Sequence, residues 1–365
     1  MTWANLPNGK RHILITGGAG FIGTNLADRL LSQGLNVIVL DDLSRPGSDK
    51  NLEWLADKHG SLLRFEHCDV RNFDSLRARV HGASVVFHFA AQVAVTDSLL
   101  RPRHDFDVNA KGTLNLLEAI RNLSHPPVLV YTSTNKVYGA LEDLNVTKHL
   151  CRYTPSCDEI AKNGISESQS LDFHSPYGCS KGAADQYILD YARTFHLPAV
   201  VFRMSCIYGD HQNGTEDQGW VAHFLIRSNE GKPIRIYGDG MQVRDLLHVS
   251  DLLNAFELAV SRINETSGQS FNIGGGPQHT VSLLELLELM RKINIAPPQI
   301  EFESWRAADQ RYYVSDTRKF RSKTAWTPQV CVPDGLRSLQ KWLAQDRQSD
   351  NFIKSRQISQ IAAAS

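Results

Sequence analysis

At 365 residues, with 42% hydrophobic and 21% charged residues, the chain can bury a large core and is neither a short peptide nor a disordered tail. Lys and Arg (39) balance Asp and Glu (39), so no global field draws it to nucleic acid or to an anionic membrane. Any polyanion it binds has to meet a local basic pocket. Six cysteines, Cys68, Cys151, Cys157, Cys179, Cys206 and Cys331, are scattered without a CxxC pair, as in a reducing compartment. Met1–Arg11 is polar, and no run approaches the ~18 unbroken apolar residues of a membrane span. The expectation is a cytoplasmic protein with neither membrane nor nucleic acid as partner.

Up to residue 210, short β-branched runs alternate with amphipathic stretches, which predicts repeated βαβ units around a parallel sheet. Strands are expected at His12–Thr16, Asn36–Leu40, Leu63–His67, Val85–Phe89, Val128–Thr132 and Ala199–Arg203. Helices are expected at Phe21–Gln33, Leu52–His59, Phe73–Val80, Phe106–Arg121 and Tyr177–Phe195. Beyond Gly209 the chain breaks into shorter pieces at Lys232-Pro233, Gly238-Asp239-Gly240 and Gly274-Gly275-Gly276-Pro277, with helices at Val249–Arg262 and Ser282–Asn294. The predicted class is α/β. A Rossmann-type doubly wound parallel sheet spans 10–210, and a smaller C-terminal α/β substrate-binding lobe spans 211–345, some of whose elements return to the first domain. The Gln- and Ser-rich segment 346–365 reads as a frayed tail.

After the first strand comes Gly17-Gly18-Ala19-Gly20-Phe21-Ile22-Gly23. Gly17 and Gly20 let the backbone turn and approach a pyrophosphate, Gly23 lets helix and strand pack, and the helix start at Phe21 and Ile22 offers free N–H groups to the anion. Asp41, followed by Asp42, ends the second strand 18 residues past Gly23. A carboxylate there holds both ribose hydroxyls and repels a 2′-phosphate, which favours NAD over NADP; Arg45 is the neighbour that opposes this choice. Asp69-Val70, after the third strand, is placed to meet the adenine, and a polar residue before Phe73 can cap the next helix.

Tyr177 and Lys181 stand four residues apart on one helix face. A tyrosine of ordinary pKa, about 10, becomes a base nearer neutral pH when an ammonium and a positive nicotinamide ring favour its phenolate. With Gly17–Gly23, Asp41, Asp69-Val70, Phe89-Ala90-Ala91, Asn109 before Gly112-Thr113, and Thr134 ahead of Val137-Tyr138-Gly139, these residues make the chain resemble the extended short-chain dehydrogenase/reductases of the nucleotide-sugar epimerase/dehydratase family over roughly residues 10–340. The resemblance implies tightly bound NAD used catalytically and held by the cradle, Asp41, Asp42, Asp69, Val70, Ala90, Ala91, Asn109, Tyr177 and Lys181. It also implies that Thr134 holds the reacting hydroxyl, that Tyr177 is the acid/base, and that Lys181 binds the nicotinamide ribose while tuning Tyr177.

Relatives that eliminate water carry an Asp-Glu pair after this threonine, because elimination needs one group to protonate the leaving hydroxyl and another to take a carbon-bound proton. Here Asn135 and Lys136 stand there, which argues against a 4,6-dehydratase and against the decarboxylases. What remains is oxidation and re-reduction at one carbon. Thr134-Asn135-Lys136, the Phe202–Gly209 stretch with Cys206, and Gly214–Trp220 are similar to the CDP-tyvelose (CDP-paratose) 2-epimerase branch, whereas 4-epimerases usually carry asparagine in the place of Cys206. A UDP-sugar 4-epimerase is the alternative, and a non-catalytic NAD-binding regulator a distant third.

The resemblance places Arg244 and Arg306 on the substrate diphosphate, for which an arginine fork is suited. With Thr134, Asn135, Cys206 and Asp309 they make up the substrate set. Asp309 is expected to orient Arg306 or meet a ribose, Asp316 to cap a helix, Arg235 to be a weaker anion ligand, and Trp220 and Tyr237 to flank the base or simply pack. The 14 histidines show no metal-binding spacing, and no metal is expected. A homodimer or homotetramer is implied, its subunits pairing through the helices predicted at Phe106–Arg121 and Tyr177–Phe195, with Leu116, Ile188 and Tyr191 either facing outward or lying in the chain's own core.

Overall fold

The computed structural model describes residues 12–306 and 308–345; the expectations for Met1–Arg11 and for the tail 346–365 lie outside the described residues. Seven strands form one parallel sheet: β1 (His12–Thr16), β2 (Val37–Asp41), β3 (Arg64–His67), β4 (Ala83–His88), β5 (Val128–Thr134), β6 (Ala199–Met204) and β7 (Gln269–Ile273). Their order is β7-β6-β5-β4-β1-β2-β3. The chain leaves β1 toward one edge and returns to β4 on the other side, so the crevice of this doubly wound sheet opens at the carboxyl ends of β1 and β4. Both faces are covered, which is why the middle strands are almost continuously apolar and fully buried.

The helices are α1 (Phe21–Ser32), α2 (Ser48–His59), α3 (Phe73–Val80), α4 (Val95–Leu100), α5 (Pro102–Phe106), α6 (Gly112–Arg121) and α7 (Ser175–Thr194). Asn72 caps α3 by accepting the Ser75 N–H. The single helix predicted over Phe106–Arg121 is three pieces: α5, a π turn at Asp107–Lys111, and α6. Pro102 begins α5, and the wide turn carries Asn109, a device common at functional sites. Gly112 at the start of α6 faces Val70, whose Cγ2 lies 2.8 Å from where a Cβ would stand.

The seventh strand comes from the half of the chain after residue 210, and so does the helix Val249–Ser261, whose Leu252, Leu253, Phe256 and Ala259 pack into the same core as Ile13, Ile15, Val85 and Phe87. The remaining elements form a smaller layer over the carboxyl edge. Val243–His248 pairs with Cys206–Tyr208, Thr280–Ser282 and Tyr312–Tyr313, and Ile234–Tyr237 pairs with Ile300–Glu303. Leu283–Lys292 starts with a capping box between Ser282 and Glu285. The helix Trp220–Glu230 escaped the sequence reading because its apolar residues run together between Gly219 and Gly231 and blur the helical period. A small hairpin, Val146–His149 with Arg152–Pro155, was also not anticipated.

Of the two places open to Leu116 and Ile188, the structure takes the chain's own core: both are fully buried between sheet and helices. Tyr191 is buried too, its hydroxyl donating to Glu118. The apolar residues that do face outward on this side are Leu99, Leu100, Phe106 and Tyr187.

One polar pair lies inside this core. Arg203 on β6 donates Nε and Nη2 to the two oxygens of Asp185 on α7, each at 2.9 Å, and Nη1 to the Tyr138 hydroxyl at 3.1 Å. Removing one partner of a buried, fully bonded pair leaves a charge without compensation. Asp185→Asn is therefore expected to cost about 3–5 kcal/mol in a urea titration, with an unchanged slope; a loss well under 1 kcal/mol would mean that the pair behaves as a surface contact.

Candidate active site

The glycine segment forms a cradle with no room for side chains. A Cβ on Gly17, which has φ of 67°, would stand 2.6 Å from the Ala90 nitrogen, and one on Gly23 would stand 2.3 Å from the Gly17 carbonyl oxygen. Gly20 precedes α1 as its cap residue with no side chain bonded there, and the first turn, which includes Phe21 and Ile22, holds no acid. The helix start thus presents uncapped N–H groups to a phosphate. Phe89 and Ala90, leaving β4, are tied back to Thr16 by backbone and hydroxyl bonds, and Ala91 follows at the same mouth.

Asp41 ends β2 beside the cradle. Its oxygens accept the Ala19 N–H (3.0 Å) and the Leu43 N–H (2.9 Å), and burial pushes its carboxyl up against the pull of these bonds. Asp42 accepts the Ser44 N–H and hydroxyl. Asp69 is bonded through both oxygens to Arg71, which holds its carboxyl below the usual range, while Val70 packs on Gly112. Asn109 in the π turn bonds both the N–H and the carbonyl of Gln92. A bare backbone cradle, a helix start without a capping side chain and a carboxylate at the end of the second strand are the donors and acceptors that NAD requires, so these residues fit that cofactor.

Thr134 is the last residue of β5 and Tyr177 lies in the first turn of α7; Pro176 suits that turn because its missing N–H has no helical partner. The two side chains meet. Burial pushes the Tyr177 phenol up to about 12, and the Thr134 hydroxyl and the Arg45 guanidinium favour its ionised form. The Lys181 Nζ donates to the Thr132 carbonyl at 2.6 Å and lies 4.2 Å from the centre of the Tyr131 ring. Burial brings the Lys181 ammonium down to about 7. Arg45, considered in the sequence only for its effect on NAD selectivity, adds a weaker pull toward the phenolate.

Beyond Thr134 a second cluster forms. Lys136 donates to the Ala308 carbonyl (3.2 Å) and lies 3.5 Å from Asp309, which also receives Arg244 at 2.8 Å. Although burial opposes it, Arg244 and Lys136 hold the Asp309 carboxyl below its usual range. Asp309 therefore orients Arg244, where the sequence had offered Arg306 or a ribose as its partner. Arg306 instead reaches Asp217 (3.2 Å) and the Glu216 carbonyl, 3.9 Å from the centre of the Tyr237 ring. The Asn135 amide is taken by Gln310, at 2.9 Å, and Gln310 in turn donates to the Gly139 carbonyl. No pattern in the sequence marks Gln310, because its partner lies 175 residues away.

Cys206 accepts the Trp220 indole N–H at 3.3 Å, and burial pushes its thiol up. Arg235 is an exposed strand residue beside Glu216 and Glu301. Asp316 accepts the Arg318 N–H at the start of the helix Arg318–Thr324, as a capping acid does. No helix among the described residues is long and apolar enough to cross a membrane.

The profile of the NAD dependent epimerase/dehydratase family matches residues 13–274. CDP-paratose 2-epimerase of Salmonella typhi is 44% identical over 339 residues, covering 90% of this chain and 98% of the relative. Among solved structures, UDP-glucose 4-epimerase of Thermotoga maritima with UDP-glucose superposes with a TM-score of 0.78 at 29% identity, covering 92% of this chain and 99% of that one. UDP-glucuronic acid 4-epimerase of Bacillus cereus, in complex with UDP-glucuronic acid and NAD, has a TM-score of 0.77 at 27% identity, with coverages of 92% and 99%. A fingerprint loop at the switch point, a Tyr and a Lys on the helix facing it, and a profile match over most of the chain agree: the protein belongs to the NAD dependent epimerase/dehydratase family.

Proposed function

We propose that the protein is an NAD-dependent epimerase that inverts C2 of a nucleoside-diphosphate sugar, as the name of its Salmonella relative describes for CDP-paratose. The observation that carries the reaction type is the meeting of Tyr177 with Thr134 while the two positions after Thr134 hold Asn135 and Lys136 and no acid. Thr134 orients the C2 hydroxyl, and Tyr177 removes its proton and later returns one. NAD, when bound, supplies the acceptor that takes the C2 hydride and gives it back. Lys181 holds the nicotinamide ribose. Arg244 and Arg306 bind the diphosphate, and the Arg244–Asp309–Lys136 cluster gives way to it as the phosphates arrive. The 2-keto sugar turns over in the pocket between oxidation and reduction, so no net redox change occurs.

Tyr177→Phe should lower kcat by about 10²–10⁴-fold while nucleotide-sugar binding changes little; an unaffected kcat removes Tyr177 from the chemistry. Proton NMR on a panel of CDP-, GDP- and UDP-sugars should show inversion at C2. Inversion at C4 would establish the 4-epimerase alternative, which the similarity to the Thermotoga enzyme favours. In deuterated water the inverted carbon should remain free of deuterium, because the hydride never exchanges with solvent; label at that carbon would mean proton abstraction from carbon.

The subunits pair as a homodimer through the face that carries Leu99, Leu100, Phe106 and Tyr187, on α4, α5 and α7, which pack against one another. Light scattering after size exclusion should give twice the chain mass, and Leu100→Lys should reduce it to one; a wild-type monomer refutes the pairing. Free cysteines at all six positions are compatible with a cytoplasmic enzyme.

A further inference from the structure

Beneath Tyr177 and Lys181 lies a carboxylate that the proposed reaction does not use. Asp105, on α5, is fully buried. Its Oδ1 accepts the Asn109 amide at 3.2 Å, and its Oδ2 has no hydrogen-bond partner. Asn109 also donates to the Ser180 hydroxyl at 3.0 Å, which donates to the Tyr177 carbonyl at 3.2 Å. The acid is thereby fixed against the turn of α7 that joins Tyr177 to Lys181. Tyr177 is held from the other side, its N–H donating to the Ser98 hydroxyl of α4.

The charges around Lys181 leave few ways to compensate a buried ammonium. Among the described residues its Nζ bonds the Thr132 carbonyl and lies over the Tyr131 ring, both neutral groups. His88, buried between Thr16 and Thr113, is pushed down to about 3 by burial and by Lys181 itself, and is neutral. Asp185, one helical turn on, has both oxygens occupied by Arg203. Two carboxylates act on Lys181, Asp185 and Asp105, and of these only Asp105 is not already paired with a cation. The other charged groups facing Asp105 are His104 on its own helix and Asp97 on α4, and Asp97 is paired with Arg101. A dry site stabilises a charge only when an opposite one is close.

We propose that Asp105 is the buried counter-charge of Lys181, a positioning residue that keeps the ammonium protonated in the closed site and sets the pH range in which the Tyr177–Lys181 pair operates. This rests on the catalytic roles given to those two residues above. Asp105 favours the charged form of Lys181 and opposes ionisation of Tyr177; burial holds the Asp105 carboxyl above its usual range, and Ser180 and Lys181 partly offset that.

The sign of the effect can be measured. In Asp105→Asn the anion is lost, so Lys181 gives up its proton more readily and the Tyr177 phenolate forms more readily. Both limbs of the kcat/KM profile, taken with whichever nucleotide sugar of the panel turns over, should move to lower pH by about one unit. Asp105→Glu keeps the charge and should leave the limbs near their wild-type positions. A purely structural role would lower the melting temperature and the amount of active enzyme without moving either limb, and limbs that stay in place in a folded Asp105→Asn overturn the proposal. Should that variant fail to fold, carboxyl-carbon NMR of Asp105 in the wild-type protein decides: an ionised carboxylate throughout the active range is expected, and a protonated one overturns it. The two ideas fail separately. Full activity in Tyr177→Phe sinks the catalytic assignment, whereas unmoved limbs alongside an inactive Tyr177→Phe sink only the counter-charge.

Discussion

The close approach of backbone at the first turn is the constraint on which the site is built. A Cβ at residue 23 would stand 2.3 Å from the Gly17 carbonyl oxygen, and one at residue 17 would meet the chain leaving β4. Only hydrogen fits in these spaces, so α1 is pressed against the end of β1 and its uncapped N-terminus opens on the switch point between β1 and β4. Asp41 receives the Ala19 N–H of this same loop, and Asn51 of α2 donates to the Ala19 carbonyl. The cradle is thus held from two sides by β2 and α2, and a bound dinucleotide meets a rigid surface.

Electrostatics at the reacting end follow from burial more than from pairing. The phenol of Tyr177 and the ammonium of Lys181 are driven in opposite directions by the same loss of water, one up to about 12 and the other down to about 7. Each shift favours the neutral species. Charges from other segments act against this: Arg45, from the loop after β2, favours the phenolate, and Asp185 and Asp105 favour the charged lysine.

The C-terminal layer is tied to this centre through the loop after β5. Asn135 bonds Gln310, and Lys136 reaches Asp309 and the Ala308 carbonyl, so the segment carrying Arg306 is fastened to the residues that follow Thr134. Asn135 and Lys136 thereby join two loops.

Periodicity and glycine spacing made six of the seven sheet strands and the cradle legible, because they depend on neighbours within a few residues. Tyr177 and Lys181 stood out only behind that glycine fingerprint, since a Tyr and a Lys one helical turn apart are common on any helix. The seventh strand was not legible, since Gln269–Ile273 owes its place to β6, far back in the sequence. Neither was the break in Phe106–Arg121, where a π turn aims Asn109 at Gln92. Whether Leu116 and Ile188 face a partner or the chain's own core stayed open in the sequence, because an amphipathic helix does not say which of its neighbours covers a given stripe. The sequence by itself determined the doubly wound class and the glycine turn after β1, which are local patterns, and the family resemblance singled out Thr134, Tyr177 and Lys181. Tertiary structure alone decided that Asp309 belongs to Arg244, that Gln310 takes the Asn135 amide and that Asn109 reaches Ser180. Those are encounters between segments remote in the chain, and a charge acts through distance in space, which residue order does not record.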